Sequence, residues 1–172
     1  MRITLPRVLL IVAALLTGLI LQTTLLSRLG LPGATPDLVL VTVLVLAMAA
    51  GPGPGAVIGF GAGVLVDVAP PATGSIGQTA AVYAIAAFVA GHFTLDAGAF
   101  DLRSALAIAG LTAGVTLALS VTGALLSSPH VTWSAVPWFV VTSAVYAAVL
   151  ALAVVPIIGV LYRGAADEGR LA

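Results

Sequence analysis

The stretch GFGAGVLVDVAPPATGSIG, residues 59–77, decides how the chain is read. It is apolar and laced with glycine, yet it carries a carboxylate, Asp67, in a chain where only 7% of residues are charged. Around it, 61% of the 172 residues are hydrophobic and the mean hydropathy is +1.24. A soluble domain is about half apolar and about a quarter charged, so this chain lacks the polar surface to face water all round. An all-α integral membrane protein follows, forming one domain over residues 1–172. Cysteine is absent, which removes disulfides, thiolate chemistry and Cys-based metal sites. His92 and His130 lie far apart in sequence, and no basic patch points to nucleic acid.

Six apolar segments can be marked outward from this stretch, at about 8–26, 38–50, 55–69, 77–93, 102–126 and 137–162. The first resembles a signal peptide in its basic start, but it is longer than a typical h-region and no small-x-small site follows, so it reads as a retained span. The second follows Pro36 and Asp37, a helix start, and stops at GPGPG. Its 13 residues rise only about 20 Å against a core of about 30 Å, so it must borrow flanks, thin the bilayer or be shielded by neighbours. The third is similarly short and ends at Pro70-Pro71. Pro156 is expected to kink the sixth, and the tail YRGAADEGRLA to be polar and frayed. Six spans with both termini cytoplasmic place Arg2, Arg7, Arg103, Arg163 and Arg170 inside and only Arg28 outside, as the positive-inside rule prefers. Trp133 and Trp138 then fall near the outer interface. A four-span arrangement, with the second and third segments as a re-entrant hairpin, keeps the termini together as well.

Within the opening stretch the register is informative. Gly55, Gly59, Gly63 and Asp67 follow at strides of four, which puts them along one helix face. Small residues so spaced form a groove that admits another helix closely, so this ridge is expected to meet protein. Asp67 would lie about 18 Å beyond Gly55, inside the hydrocarbon core. An ionised Asp at the centre of a span costs about 2.5–3.5 kcal/mol, which partners, water or protonation must offset. Gln22 reaches a similar depth on the first span, with Thr23 and Thr24 beside it and Gln78 and Thr79 near that level. Three readings of Asp67 stand side by side: a hydrogen-bonded cluster with those groups, a proton or substrate site, or a helix end at the outer interface. Gly110 and Gly114 offer a second small-residue pair, expected to serve internal packing.

No phosphate loop, Gly-x-Ser-x-Gly elbow or His-Glu-x-x-His motif is present, and Asp67 alone lies clearly within a span, so an aspartyl dyad is not expected. The chain reads as a non-enzyme with no catalytic residues, cofactor or metal. His92, Asp96 and Asp101, in the link between the fourth and fifth segments, have two readings: contacts for a cytoplasmic partner, or solvated loop residues with Asp101 a helix cap, the latter preferred.

These features resemble the rod shape-determining protein MreD family. The likeness is carried by LILQTTLL at the end of the first span, then by Pro36 and Asp37 before a short apolar span. A glycine-rich span with Gly59, Gly63 and Asp67 follows, and then a small-residue loop with Gly74 and Gly77. The resemblance implies a six-span helix bundle similar to the substrate-binding S-component of energy-coupling-factor vitamin transporters. It also implies a non-enzymatic scaffold of cell elongation in the bacterial inner membrane. Implied partners are an MreC-like bitopic periplasmic protein, the peptidoglycan polymerase and transpeptidase pair and, indirectly, the MreB filament. The fold likeness supplies the alternative, a vitamin-type transporter subunit. Such a subunit needs converging polar groups in a pocket, for which Gln22, Asp67, Gln78 and Tyr83 are the candidates. The structural and partner-packing residues are therefore Gln22, Pro36, Asp37, Gly55, Gly59, Gly63, Asp67, Gly74 and Gly77, and the oligomeric state is left open.

Overall fold

A computed structural model describes residues 5–30, 32–69, 76–93, 102–125 and 133–171. Among the described residues the chain is all helical, with α1 Leu5–Thr24, α2 Leu38–Ala50, α3 Pro52–Val68, α4 Gln78–Ala90, α5 Leu102–Leu125 and α6 Val136–Leu171. Three helices are long and apolar enough to cross a membrane, over Leu5–Thr24, Leu102–Leu125 and Val136–Tyr162. Large apolar side chains such as Leu9, Leu16 and Ile20 of α1, or Val145, Val149 and Leu152 of α6, are exposed. A surface of this kind marks a membrane protein.

The centre of the bundle is α2. It carries apolar residues on every side, as a helix buried all round must. Each residue from Val39 to Met48 is buried, and α1, α3, α4, α5 and α6 all pack against it. Its 13 residues therefore need not match a bilayer, because neighbouring helices and not lipid surround them. Before α2, the segment 32–37 is tied to α6. The Ala34 amide donates to Thr142 Oγ1 at 3.0 Å, and the Tyr146 hydroxyl donates to the Pro32 carbonyl at 2.9 Å.

The GPGPG break is shorter than the sequence suggests. α3 begins at Pro52, with Gly51 at φ +91° as its cap, so PGPG forms the first helical turn. Both prolines fit there because the first amides of a helix have no intrahelical acceptor to lose. α6 stays helical through Pro156 and on to Leu171, which overturns the expectation of a frayed tail. Ala, Glu, Arg and Leu, all good helix formers, predominate there.

The most extensive helix pair is α3 with α4. A Cβ on Gly55 would lie 2.8 Å from Ala47 Cβ and 3.0 Å from the Ala87 carbonyl oxygen. One on Gly59 would lie 2.5 Å from the Tyr83 carbonyl oxygen, and one on Gly63 would lie 2.3 Å from Ala80 Cα. The order of these contacts makes the two helices antiparallel, and Gly91 closes the far end against Pro52. Lipid tails are as apolar as the side chains, so burial alone cannot drive such a pair together in a membrane. Close van der Waals contact and hydrogen bonds do.

Candidate functional site

Asp67 occupies the last turn of α3 with 9% of its surface exposed. Its carboxylate turns to the start of the next helix. Oδ2 accepts from the Gly77 amide at 2.8 Å and the Ala80 amide at 3.3 Å, and Oδ1 accepts from the Thr79 amide at 3.3 Å. The N-terminal amides of α4 have no partner within their own helix, and the positive end of its dipole favours an anion. Asp67 thus acts as an N-cap supplied by a neighbouring helix. Gly77 adopts φ +94°, a conformation glycine enters without strain, and this turns its amide towards the carboxylate.

A second capped terminus stands at α2. Asp37 accepts from the Leu40 amide at 2.9 Å through Oδ1, and Gln22 Oε1 of α1 accepts from the Val39 amide at 2.9 Å. The hydroxyl of Tyr83, a fully buried side chain of α4, donates to Asp37 Oδ2. One cluster therefore joins α1, α2 and α4, with Pro36 buried just ahead of it.

The polar residues expected to gather around Asp67 are divided between separate sites. Gln22 is at α2 and is no partner of Asp67. Gln78 Nε2 donates to Thr122 Oγ1 at 2.6 Å and to the Leu119 carbonyl at 3.3 Å, both on α5. Thr79 meets Asp67 through its backbone amide. Thr23 and Thr24 bond back to carbonyls of α1 at Leu19 and Ile20. The physical reason is competition: unpaired helix-start amides are better donors to a carboxylate than a distant carboxamide, and they need no side chain to be ordered.

Gly55, Gly59 and Gly63 do meet protein, but the protein is α4, and at Gly55 also α2, of the same chain, so this ridge presents no surface to a partner. Gly110 and Gly114 behave in the opposite way. A Cβ at either would meet nothing within 4 Å, and both line a cavity of about 240 Å³ between α4 and α5, contrary to the internal packing expected of them. Gly74, Asp96, Asp101 and His130 lie outside the described residues.

Gly91 is a further packing residue, legible in the sequence only in that Ala87 and Gly91 stand four apart and complement the ridge of α3. The sequence offers Tyr83 as a candidate pocket residue and its partner Asp37 as a helix start. Only the packing of α4 on α2 brings them together. Among the described residues no three His, Asp or Glu side chains come together as a metal site would require. The two described carboxylates, Asp37 and Asp67, both hold helix ends, an arrangement that fixes helix positions. Set beside protein-family models, curated proteins and solved structures, the chain matches none.

Proposed function

We propose that this protein is a non-enzymatic scaffold of the bacterial inner membrane, of the MreD type, working in cell elongation. In this reading all six helices span the membrane, including the three short ones, and both termini are cytoplasmic. An MreC-like bitopic protein is its direct partner, linking it to the peptidoglycan polymerase and transpeptidase pair and to the MreB filament.

The observation that carries the reading is the use made of the buried polar groups. Gln22, Asp37, Asp67, Gln78 and Tyr83 are all engaged in capping or cross-linking helices, and none is left converging on a cavity. A subunit that recognises a vitamin needs such convergence. The cavity between α1 and α6 is lined by apolar side chains apart from Thr17 and Thr42, and that between α4 and α5 by apolar ones throughout. A rigid bundle that holds its own short helices by caps suits a platform for other membrane helices.

Affinity purification in mild detergent, with mass spectrometry of proteins and small molecules, tests this. Recovery of a one-span periplasmic coiled-coil protein is the expected result. A stoichiometric vitamin without such a protein would overturn the scaffold in favour of the transporter subunit.

A further inference from the structure

Arg7, in the first turn of α1, lies against Tyr162 of α6, with its guanidinium carbon 5.4 Å from the ring centroid. A cation over an aromatic face is attracted by the ring quadrupole, but the ring does not neutralise its charge. The Arg7 Nε is buried and has no hydrogen-bond partner. The two carboxylates whose side chains are described, Asp37 and Asp67, are held in the caps of α2 and α4. Gln22, which shares the α2 cap with Asp37, lies 15 residues along α1 from Arg7, about 22 Å away. Among the described residues Arg7 is therefore a cation without an anion.

Beside it opens an apolar groove of about 620 Å³ between α1 and α6, larger than the one between α4 and α5 and floored by Leu38 and Thr42 of α2. Its wall on α1 begins at Leu10, three residues after Arg7, and on α6 at Leu161, next to Tyr162. The lining runs from Leu10 to Leu21 and from Leu161 back to Leu150, about 16 Å along each helix. That is about half of a hydrocarbon core some 30 Å thick, the depth of one leaflet. The groove is apolar along this length and ends beside the Arg7 guanidinium, a layout that matches a charged headgroup with its acyl chain.

The geometry points to a binding site for an anionic phospholipid, with its phosphate at Arg7 and Tyr162 and one acyl chain in the α1–α6 groove. The phosphate supplies the acceptors and the negative charge that the guanidinium lacks, and Arg matches phosphate oxygens with a planar fork of donors. The acyl chain fills an apolar space that water does not favour. The site is independent of the scaffold reading and stands or falls without it.

The test is native mass spectrometry of the full chain released from micelles doped with phosphatidylglycerol or with phosphatidylcholine of the same chains. Glycerol 3-phosphate serves as the headgroup without tails. Phosphatidylglycerol is expected to be retained in preference, and glycerol 3-phosphate not at all. Arg7→Gln should lower the phosphatidylglycerol preference about fivefold, the contribution of one basic residue at an anionic surface. Arg7→Lys should keep most of it, and Arg103→Gln, an exposed arginine on α5, should leave it unchanged. Ala153→Phe, which fills the groove, should reduce retention of both lipids, with the melting temperature of each variant showing that it is folded. Equal retention of the two lipids by the native chain would overturn the site. An effect of Arg103→Gln as large as that of Arg7→Gln would do so too, as would retention of glycerol 3-phosphate as strong as that of the lipid, or a protein helix bound in the groove in place of lipid.

Discussion

Three backbone amides converge on the Asp67 carboxylate, and none of them has another acceptor within its helix. Asn at this position keeps one acceptor oxygen but turns an NH₂ group towards N–H donors. Leu removes both acceptors and leaves the start of α4 unpaired in a buried place. Losing a cap costs about 0.5–2 kcal/mol, and a buried unsatisfied donor about 1–3 kcal/mol. Melting in detergent should therefore rank native above Asp67→Asn above Asp67→Leu, with losses of about 1 and about 2–3 kcal/mol. The Asn variant should still capture the partner protein. Lost capture by a folded Asp67→Asn chain would show that charge, and not capping, is what this residue supplies. The sequence marked Asp67 as unusual and placed it on the right helix face. Its partners were not legible, because they are main-chain amides ten to thirteen residues away that no side-chain pattern announces.

At the scale of elements, the seam between α3 and α4 depends on hydrogen atoms where side chains would otherwise stand. A methyl group at Gly63 would overlap the backbone of Ala80, which cannot swing aside. Gly61 lies two residues away with nothing within 4 Å of a Cβ. Overpacking costs about 1–3 kcal/mol, while Gly→Ala inside an unobstructed helix gains about 0.5–1 kcal/mol. Gly63→Ala should thus lower the melting temperature in detergent and Gly61→Ala should hold or raise it. Equal effects would mean that the two helices are not in the close contact described. The stride of four from Gly55 to Asp67 was legible because helical period alone puts those residues on one face. The identity of the helix filling the ridge was not. Small residues announce close approach without naming the neighbour, and a helix of this chain and one of a partner leave the same pattern.

On the scale of the whole molecule, the short helices raise the question of how many times the chain crosses the membrane. The absence of cysteine makes this directly measurable with single introduced thiols. Ile76 before α4 is 81% exposed, and Gly53 is exposed at the start of α3. With six spans, Ile76→Cys should react with an impermeant maleimide on intact cells, and Gly53→Cys only after permeabilisation. A re-entrant α2–α3 hairpin would instead leave Gly53→Cys unlabelled from the cytoplasmic side.

Composition and periodicity by themselves determined that the chain is helical, that much of its surface is too apolar for water and where its apolar segments lie, since hydropathy and helical period are local properties. They also singled out Asp37, Asp67 and the glycine ridge, because polar groups and notches stand out in an oily sequence. Only the tertiary structure decided that α2 lies at the centre, that α4 fills the ridge and that the two acids cap helices at separate sites. Those outcomes depend on which unpaired amide and which flat helix face come within about 3 Å of each group. Distance in space between residues far apart in sequence is set by the packing of the whole bundle.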